Sequence, residues 1–331
     1  MNPKRVNLVL PGFFRAFQLT ELDHNVEVKS QLQWLISKSD YIKDSLSPSP
    51  FIPDEYLSDL SLAAYEQPHS AAGTMSFYAD PINLEIKSDH LAAYPVTISG
   101  SDIEKIERIV KEFNQYFSED GIILSYENKG KFIIRCDRDD SVVTEPVYSI
   151  YDRDIKHFLP KGSDATFWIR VFNDIQMFFH HYIDIEQRSF SNGVLNGFWL
   201  WGNGVHKDSN ESEILNKSAV ISDCSWVGGY CESHKLNKTN LESICDTDET
   251  EFTIIDEGLL ISSSCGDFSD WSIALSKIEE EVIEPLINLL KNNVISSINV
   301  IDSKDSYYCY KNRHRFRFYK TIRPLKELCV K

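Results

Sequence analysis

The sequence predicts an α/β protein. Short apolar runs of strand length alternate with longer stretches whose apolar residues recur every three or four positions, and Gly- or Pro-marked turns separate them. The 331 residues are 42% hydrophobic and 25% charged, which suits a folded globular chain of this length. No stretch approaches the roughly 18 apolar residues that a membrane-spanning helix needs.

The elements follow in order. Val6–Leu10 reads as a first buried strand, because Pro11-Gly12 stops the run and no small-residue cleavage pattern follows it. A helix is expected around Val28–Lys38, then a Pro- and Ser-rich loop from Ser45 to Pro53. Another helix, with Tyr56, Leu60 and Ala63 on one face, ends before Pro68. From Phe77 to Cys136 the pattern is strand, helix, strand, strand. Ser101-Asp102-Ile103-Glu104 has the form of a capping box, and Ile103, Ile106, Val110, Phe113 and Phe117 line the helix behind it. Asn128-Lys129-Gly130 signals a hairpin. This stretch reads as a small α+β domain at 77–137, inserted in an α/β core made of 1–76 and 138–331.

A third helix starts near Ser163-Asp164. Trp168, Phe172, Ile175, Phe179 and Tyr182 form its apolar stripe, and Asn173, Gln176 and His180 a polar one beside it. Phe190–Gly204 reads as turn, buried aromatic strand, turn, around Phe198-Trp199-Leu200-Trp201. A buried strand at Ser218–Ser222, a Gly228-Gly229 turn and an exposed acidic excursion over 232–251 come next. Trp271, Leu275, Ile278, Val282, Leu286 and Leu289 mark a long helix kinked at Pro285. Strands near Ile298–Asp302, Ser306–Tyr310 and His314–Tyr319 close the chain. In the last of these Arg313, Arg315 and Arg317 alternate with Phe316 and Phe318, giving either a solvated edge strand or a local anion site.

The formal net charge of −16 disfavours nucleic acid and anionic membranes as partners. Seven scattered cysteines with no CxxC pair suggest reduced thiols in a cytoplasm, without a disulfide framework or zinc site. Gly202-x-Gly204 lacks the third glycine and the helix of a dinucleotide loop. Ser262–Gly266 has no placed base to make it a nucleophile motif.

Several segments together carry a resemblance. Asn173-Asp174-Ile175-Gln176-Met177, His180, Arg188 and Leu195-Asn196-Gly197-Phe198-Trp199-Leu200-Trp201-Gly202-Asn203-Gly204 resemble the central signature of bacterial RpfE-type regulatory proteins. Leu8–Phe14, Ala79-Asp80-Pro81 and Arg315–Lys320 are similar as well. More distantly, Asn196, Trp199–Gly204, Ser218–Ser222 and Gly228-Gly229 resemble archaeal-type cofactor-independent phosphoglycerate mutases. That resemblance implies an alkaline-phosphatase-like core sheet with a small inserted α+β domain. It also implies two divalent metals and a Ser or Thr nucleophile, which need dense sets of Asp and His. Here the first strand runs into Pro11-Gly12-Phe13-Phe14 with no acid, and Asp267-Phe268-Ser269-Asp270-Trp271 has no His where the late cluster would stand. Asp89-His90 falls in the expected insertion. His180 and His181 diverge by about 100° on a helix.

The resulting expectation is a phosphoglycerate-mutase-like regulatory protein that lacks two-metal catalysis, needs no cofactor and binds a small phosphorylated or carboxylated ligand. Asn173, Gln176, His180, Arg188 and Asn196 are its expected ligand residues, with the Arg188 fork suited to an anion. Their local alternative is that Arg188 pairs with Asp184 and Asn196 caps a turn. The functional alternatives are an active mutase and a structural interaction protein.

Overall fold

The computed structural model describes residues 3–14, 30–43, 62–66, 74–127, 131–138, 141–205, 218–260, 262, 268–303, 306–324 and 327. The 45–53 loop, the 128–130 hairpin tip, most of the helix expected at Tyr56–Ala63, and the Ser263–Asp267 positions lie outside them. In chain order the strands are β1 (Lys4–Val9), β2 (Asp40–Lys43), β3 (Met75–Ile86), β4 (Leu91–Pro95), β5 (Ile122–Glu127), β6 (Lys131–Cys136), β7 (Ser189–Phe190), β8 (Gly193–Val194), β9 (Gly197–Val205), β10 (Ser218–Ile221), β11 (Asn237–Thr239), β12 (Glu251–Ile255), β13 (Ile295–Ser303) and β14 (Ser306–Lys311). The α-helices are α1 (Gln31–Lys38), α2 (Ile103–Tyr116), α3 (Ala165–Tyr182), α4 (Trp226–Ser233), α5 (Phe268–Ile278) and α6 (Glu284–Lys291). Among the described residues no helix is long and apolar enough to cross a membrane.

The chain divides into two units, Met1–Tyr56 with Asp208–Lys331, and Leu57–Lys207. The 77–137 segment therefore belongs to a larger second unit. The reason is a long-range pairing: β9, from 197 onward, runs antiparallel along β3 from Met75 to Ile82.

In the first unit a seven-stranded sheet has the order β11-β10-β12-β1-β13-β14-β2. The first five strands are parallel, and β14 and β2 add antiparallel edges. Central β1 has Val6 to Val9 all buried, as a strand covered on both faces requires. Val6, Leu8, Ile254, Ile298 and Val300 share a core with Leu35 of α1, Trp271 and Leu275 of α5 and Leu286 of α6. Residues 232–251 are more ordered than the excursion expected, because they supply edge strand β11 and a 3-10 turn, Glu242–Cys245. Gly228 and Gly229 lie inside α4, not in a turn. The long helix is broken earlier than Pro285: a π turn at Glu279–Ile283 joins α5 to α6, with Pro285 in the first turn of α6. A proline there needs no amide partner from the preceding turn. Glu279 reaches α1, where its Oε1 accepts from the Leu32 amide at 3.0 Å and from the Ser30 hydroxyl.

The 314–319 segment is not a strand. Asn312–Phe316 is a 3-10 turn followed by irregular chain. Long-range contacts override its period-2 pattern: Arg317 forks onto Asp40, and buried Lys38 donates to the carbonyls of Arg317 and Lys320.

In the second unit β3 is the spine of a sheet ordered β4-β3-β6-β5, with β9 also on β3. Met75, Phe77 and Ala79 face α2 and α3, whose Ile106, Ile109, Phe113, Trp168, Val171, Ile175, Phe178 and Phe179 complete the core. The stripes sit slightly off expectation. Ile103 and Tyr182 are exposed, while Ile109 and Phe178 are buried. The capping box is set by Ser99 and Asp102, ahead of the Ser101–Glu104 set, because a short 3-10 turn, Gly100–Asp102, precedes α2.

Gly202 explains one feature of the Trp-Leu-Trp-Gly-x-Gly run. Ser76 pairs with Gly204 and Tyr78 with Trp201, so β9 carries an extra residue, and Gly202 takes φ +62° at the bulge. An added Cβ would lie 3.0 Å from Tyr78 Cδ2. Gly202→Ala is expected to destabilise this unit by about 1–2 kcal/mol through the left-handed backbone alone, measured as a lower urea midpoint with unchanged slope.

Candidate functional site

Ligands of open α/β sheets gather at the carboxyl ends of the parallel strands. In the first unit the middle of that edge is aromatic. After β1 the chain turns through Leu10–Phe14. Phe13 stacks on Trp271 with centroids 6.1 Å apart, Phe14 stacks on Tyr308 at 5.9 Å, and the two phenyl rings meet edge to face at 4.9 Å.

Acids lie to one side of this plug. Asp256 follows β12, and its amide donates to Val9 O at 3.2 Å. Its carboxylate accepts from the Gly258 amide at 2.8 Å. Burial holds its pKa above the usual carboxylate range, and the nearby charge of Asp223, which follows β10, raises it further. Glu257 accepts from Trp226 Nε1 at 3.0 Å. Ser222 Oγ donates to Ile255 O at 2.8 Å and accepts from the Cys224 amide. Among the described residues no three His, Cys, Asp or Glu side chains converge as a metal site. A buried carboxyl whose charged form burial disfavours, a second already bonded to an indole and a phenyl pair at the central strand are a poor match to a two-metal donor set. Asp223 and Asp256 are not among the residues expected from the sequence. Their signal is an acid placed one or two residues after a buried strand, Ala219–Ile221 and Phe252–Ile255.

The five residues expected to bind a ligand lie in the second unit. Asn173, Gln176 and His180 follow one side of α3. Asn173 and His180 are exposed, and half-buried Gln176 donates to Phe172 O at 3.4 Å. His180 meets His181 edge to face. Arg188 ends the 3-10 turn Ile185–Gln187. The β7–β8 hairpin then returns the chain, so that the Leu195 amide donates to Arg188 O at 2.8 Å. Arg188 and Asn196 thus stand at the base of one hairpin, and no hydrogen bond among the described residues links them to the α3 trio.

The two behave differently. The Asn196 amide acts as an extra strand residue: its Oδ1 accepts from Leu84 N at 2.7 Å, and its Nδ2 donates to Leu84 O at 2.9 Å and to Asn83 Oδ1 at 3.2 Å. That uses both amide hydrogens and one of the two acceptor positions of its oxygen inside the fold. Arg188 is half-buried, and its Nε is buried with no partner. No ion pair joins it to Asp184 among the described residues, and burial lowers its pKa.

Asp80 links the other resembling segments, since its carboxylate accepts from Trp201 Nε1 across the β3–β9 pair. Phe77, Phe158, Trp168, Phe172 and Trp199 line an apolar cavity of about 10 Å³, room for about one water.

The sequence matches no protein-family model and no curated protein. Among solved structures, the fold is similar to the cofactor-independent phosphoglycerate mutase from Thermoplasma acidophilum DSM 1728, with TM-score 0.37 and 12% identity over 94% of this chain and 90% of that one. It is also similar to the PH0037 protein from Pyrococcus horikoshii, with TM-score 0.46 and 11% identity over 94% of this chain and 88% of that one. These are distant likenesses of fold alone.

Proposed function

We propose that the chain is a phosphoglycerate-mutase-like regulatory protein that recognises a small phosphorylated or carboxylated molecule through Arg188, without two-metal phosphoryl transfer. The observation that carries the reading is the state of Arg188: a half-buried guanidinium with a buried, unpartnered Nε and no carboxylate facing it among the described residues. A desolvated cation without an acid is costly, and a bound anion would offset that cost with charge-assisted hydrogen bonds. The aromatic plug at Phe13 and Phe14 supports the non-catalytic part, because two phenyl rings after the central strand supply no metal ligand where the resemblance implies an acid. Gln176 and His180 remain available as orienting groups on α3, whereas the Asn196 amide is committed to Leu84.

Titration calorimetry with 3-phosphoglycerate and with inorganic phosphate, in the presence of a chelator, tests this. Binding is expected without metal, and Arg188→Ala is expected to weaken it by about 1.5–3 kcal/mol, the worth of a charge-assisted hydrogen bond. The melting temperature should hold or rise, since the variant removes an unpaired buried donor. A lower melting temperature with unchanged binding would make Arg188 purely structural. Phosphoglycerate turnover that depends on Mn²⁺ would replace the proposal with the active-mutase reading.

A further inference from the structure

The basic segment near the end of the chain has a character of its own. Between 306 and 324 there are six Lys or Arg and no Asp or Glu, in a chain of net charge −16. Its backbone is firmly held. Arg317 makes a two-pronged bond to Asp40 at 2.6 and 2.9 Å and donates to Lys38 O. Lys320 donates to Ser39 O at 2.6 Å, Gln33 donates to Arg323 O at 2.8 Å, and the Arg323 amide donates to Ser37 Oγ at 3.0 Å. His314 is wholly buried.

The side chains between these ties point the other way. Phe316 is 59% exposed, Phe318 85%, Tyr319 78% and Ile322 53%. Arg313 and Arg315 are exposed, and neither has an acid partner among the described residues. Arg315 lies over the Phe316 ring, 4.6 Å from its centroid. Arg317 turns inward to Asp40, while Arg315, Phe316, Phe318 and Tyr319 around it stay exposed. Anchored chain that displays large apolar groups marks an interaction surface more than a frayed end does.

The pairing of groups selects the partner. Unpaired guanidinium groups complement negative charge, and protruding aromatic rings suit the headgroup boundary of a bilayer, where aromatic and basic side chains act together. A single-stranded nucleic acid would stack on the rings but gains nothing from the branched aliphatic Ile322. The chain's net negative charge opposes any anion at long range. Beyond a Debye length of about 8 Å that opposition is largely screened, and the segment's own charges dominate at contact. We propose that residues 313–323 form a peripheral docking surface for anionic lipid headgroups, with Phe316, Phe318 and Ile322 entering the interface and Arg313 and Arg315 meeting the headgroups. It departs from the sequence expectation of no membrane partner.

Sedimentation of the full chain with lipid vesicles tests the surface. Binding is expected to vesicles of phosphatidylcholine with added phosphatidylserine, to be weak on phosphatidylcholine alone, and to fall with salt. Each Lys or Arg near such a surface contributes about fivefold at low salt, so the double variant Arg313→Gln, Arg315→Gln should bind about 25-fold more weakly. Phe318→Ser should reduce binding without changing the salt dependence. Both variants alter exposed side chains, and an unchanged melting curve confirms that they fold. Equal binding to both vesicle types, wild-type binding by both variants, or binding to a single-stranded oligonucleotide with none to vesicles would each overturn the proposal.

Discussion

Trp168→Ala is expected to cost the second unit about 3–5 kcal/mol, the range for truncating a large buried aromatic. Trp168 is 1% exposed on α3, with its ring centroid 4.2 Å from that of Phe77 on β3 and edge-on to Phe167 at 5.3 Å. It fills the join between helix and sheet, and it also lines the small apolar cavity, so removing it enlarges an existing void. Sheet and helix are each anchored elsewhere, β3 by β6 and β9 and α3 by Phe178 and Phe179 against Phe113 and Phe198, so the site can collapse only partly. Urea unfolding followed by circular dichroism measures the loss. A change under about 1 kcal/mol would mean that the aromatic layer repacks freely, against the close packing of protein interiors.

The second large effect is a loss of stability in mild acid. His314 is buried in the first unit, and its pKa is pushed down to about 4. Burial is the main cause, and the positive charges of Arg317, Arg313 and Lys320 add to it, while Asp40 alone pulls the other way. The native imidazole is therefore neutral, with Nδ1 accepting from the Lys311 amide at 3.3 Å. The unfolded chain takes up a proton near pH 6.5 and the native state only near pH 4. Between those values the unfolded state binds more protons, so stability is full above about 6.5 and falls as the pH drops. One extra proton on the unfolded chain costs the fold about 1.4 kcal/mol for each pH step of one, so His314 accounts for roughly 3 kcal/mol across that window. Below it Asp40, held at about 2 by its bonds to Arg317, extends the loss as it protonates. Urea midpoints from pH 7 to 4 should fall steeply in the native protein and much less in His314→Asn. Parallel curves would locate the acid sensitivity elsewhere.

Local pattern made a good part of the fold legible. Val6–Val9 reads as a buried strand because apolar residues run unbroken, and α2 and α3 read as helices because their stripes have helical spacing. Where the reading fails, a distant partner decides. The Arg-Phe alternation at 313–318 has strand periodicity, yet Asp40 and Lys38, about 280 residues earlier, fold it into a turn. Gly228 and Gly229 look like punctuation but sit in a helix fixed by Trp226 and Tyr230, both buried. The division of the chain rests on the β3–β9 pair, which joins residues some 115–130 positions apart.

The candidate site was less legible for the same reason. Asn196 reads as a ligand residue from its neighbours in sequence, and only the fold shows that its amide also bonds Leu84, 112 residues away. Asp223 and Asp256 become neighbours only once β10 and β12 are known to be adjacent. That the Arg188 Nε is buried without a partner among the described residues depends on how the hairpin packs, which no local spacing encodes.

The π turn at Glu279–Ile283 has a further consequence for how the chain tolerates changes in length. The buried residues of the α5–α6 rod step from Trp271 to Leu275 to Ile278, then to Ile283, Leu286 and Leu290. Every step is three or four residues except the one from 278 to 283, so the rod carries a single phase slip, and the wider turn absorbs it. Excising one residue from 280–282 would leave a four-residue step and a continuous α-helix with the same buried face. Inserting one there would swing Leu286 and Leu290 by about 100° away from the sheet. This rod is thus asymmetric toward indels, forgiving of a loss at the π turn and intolerant of a gain.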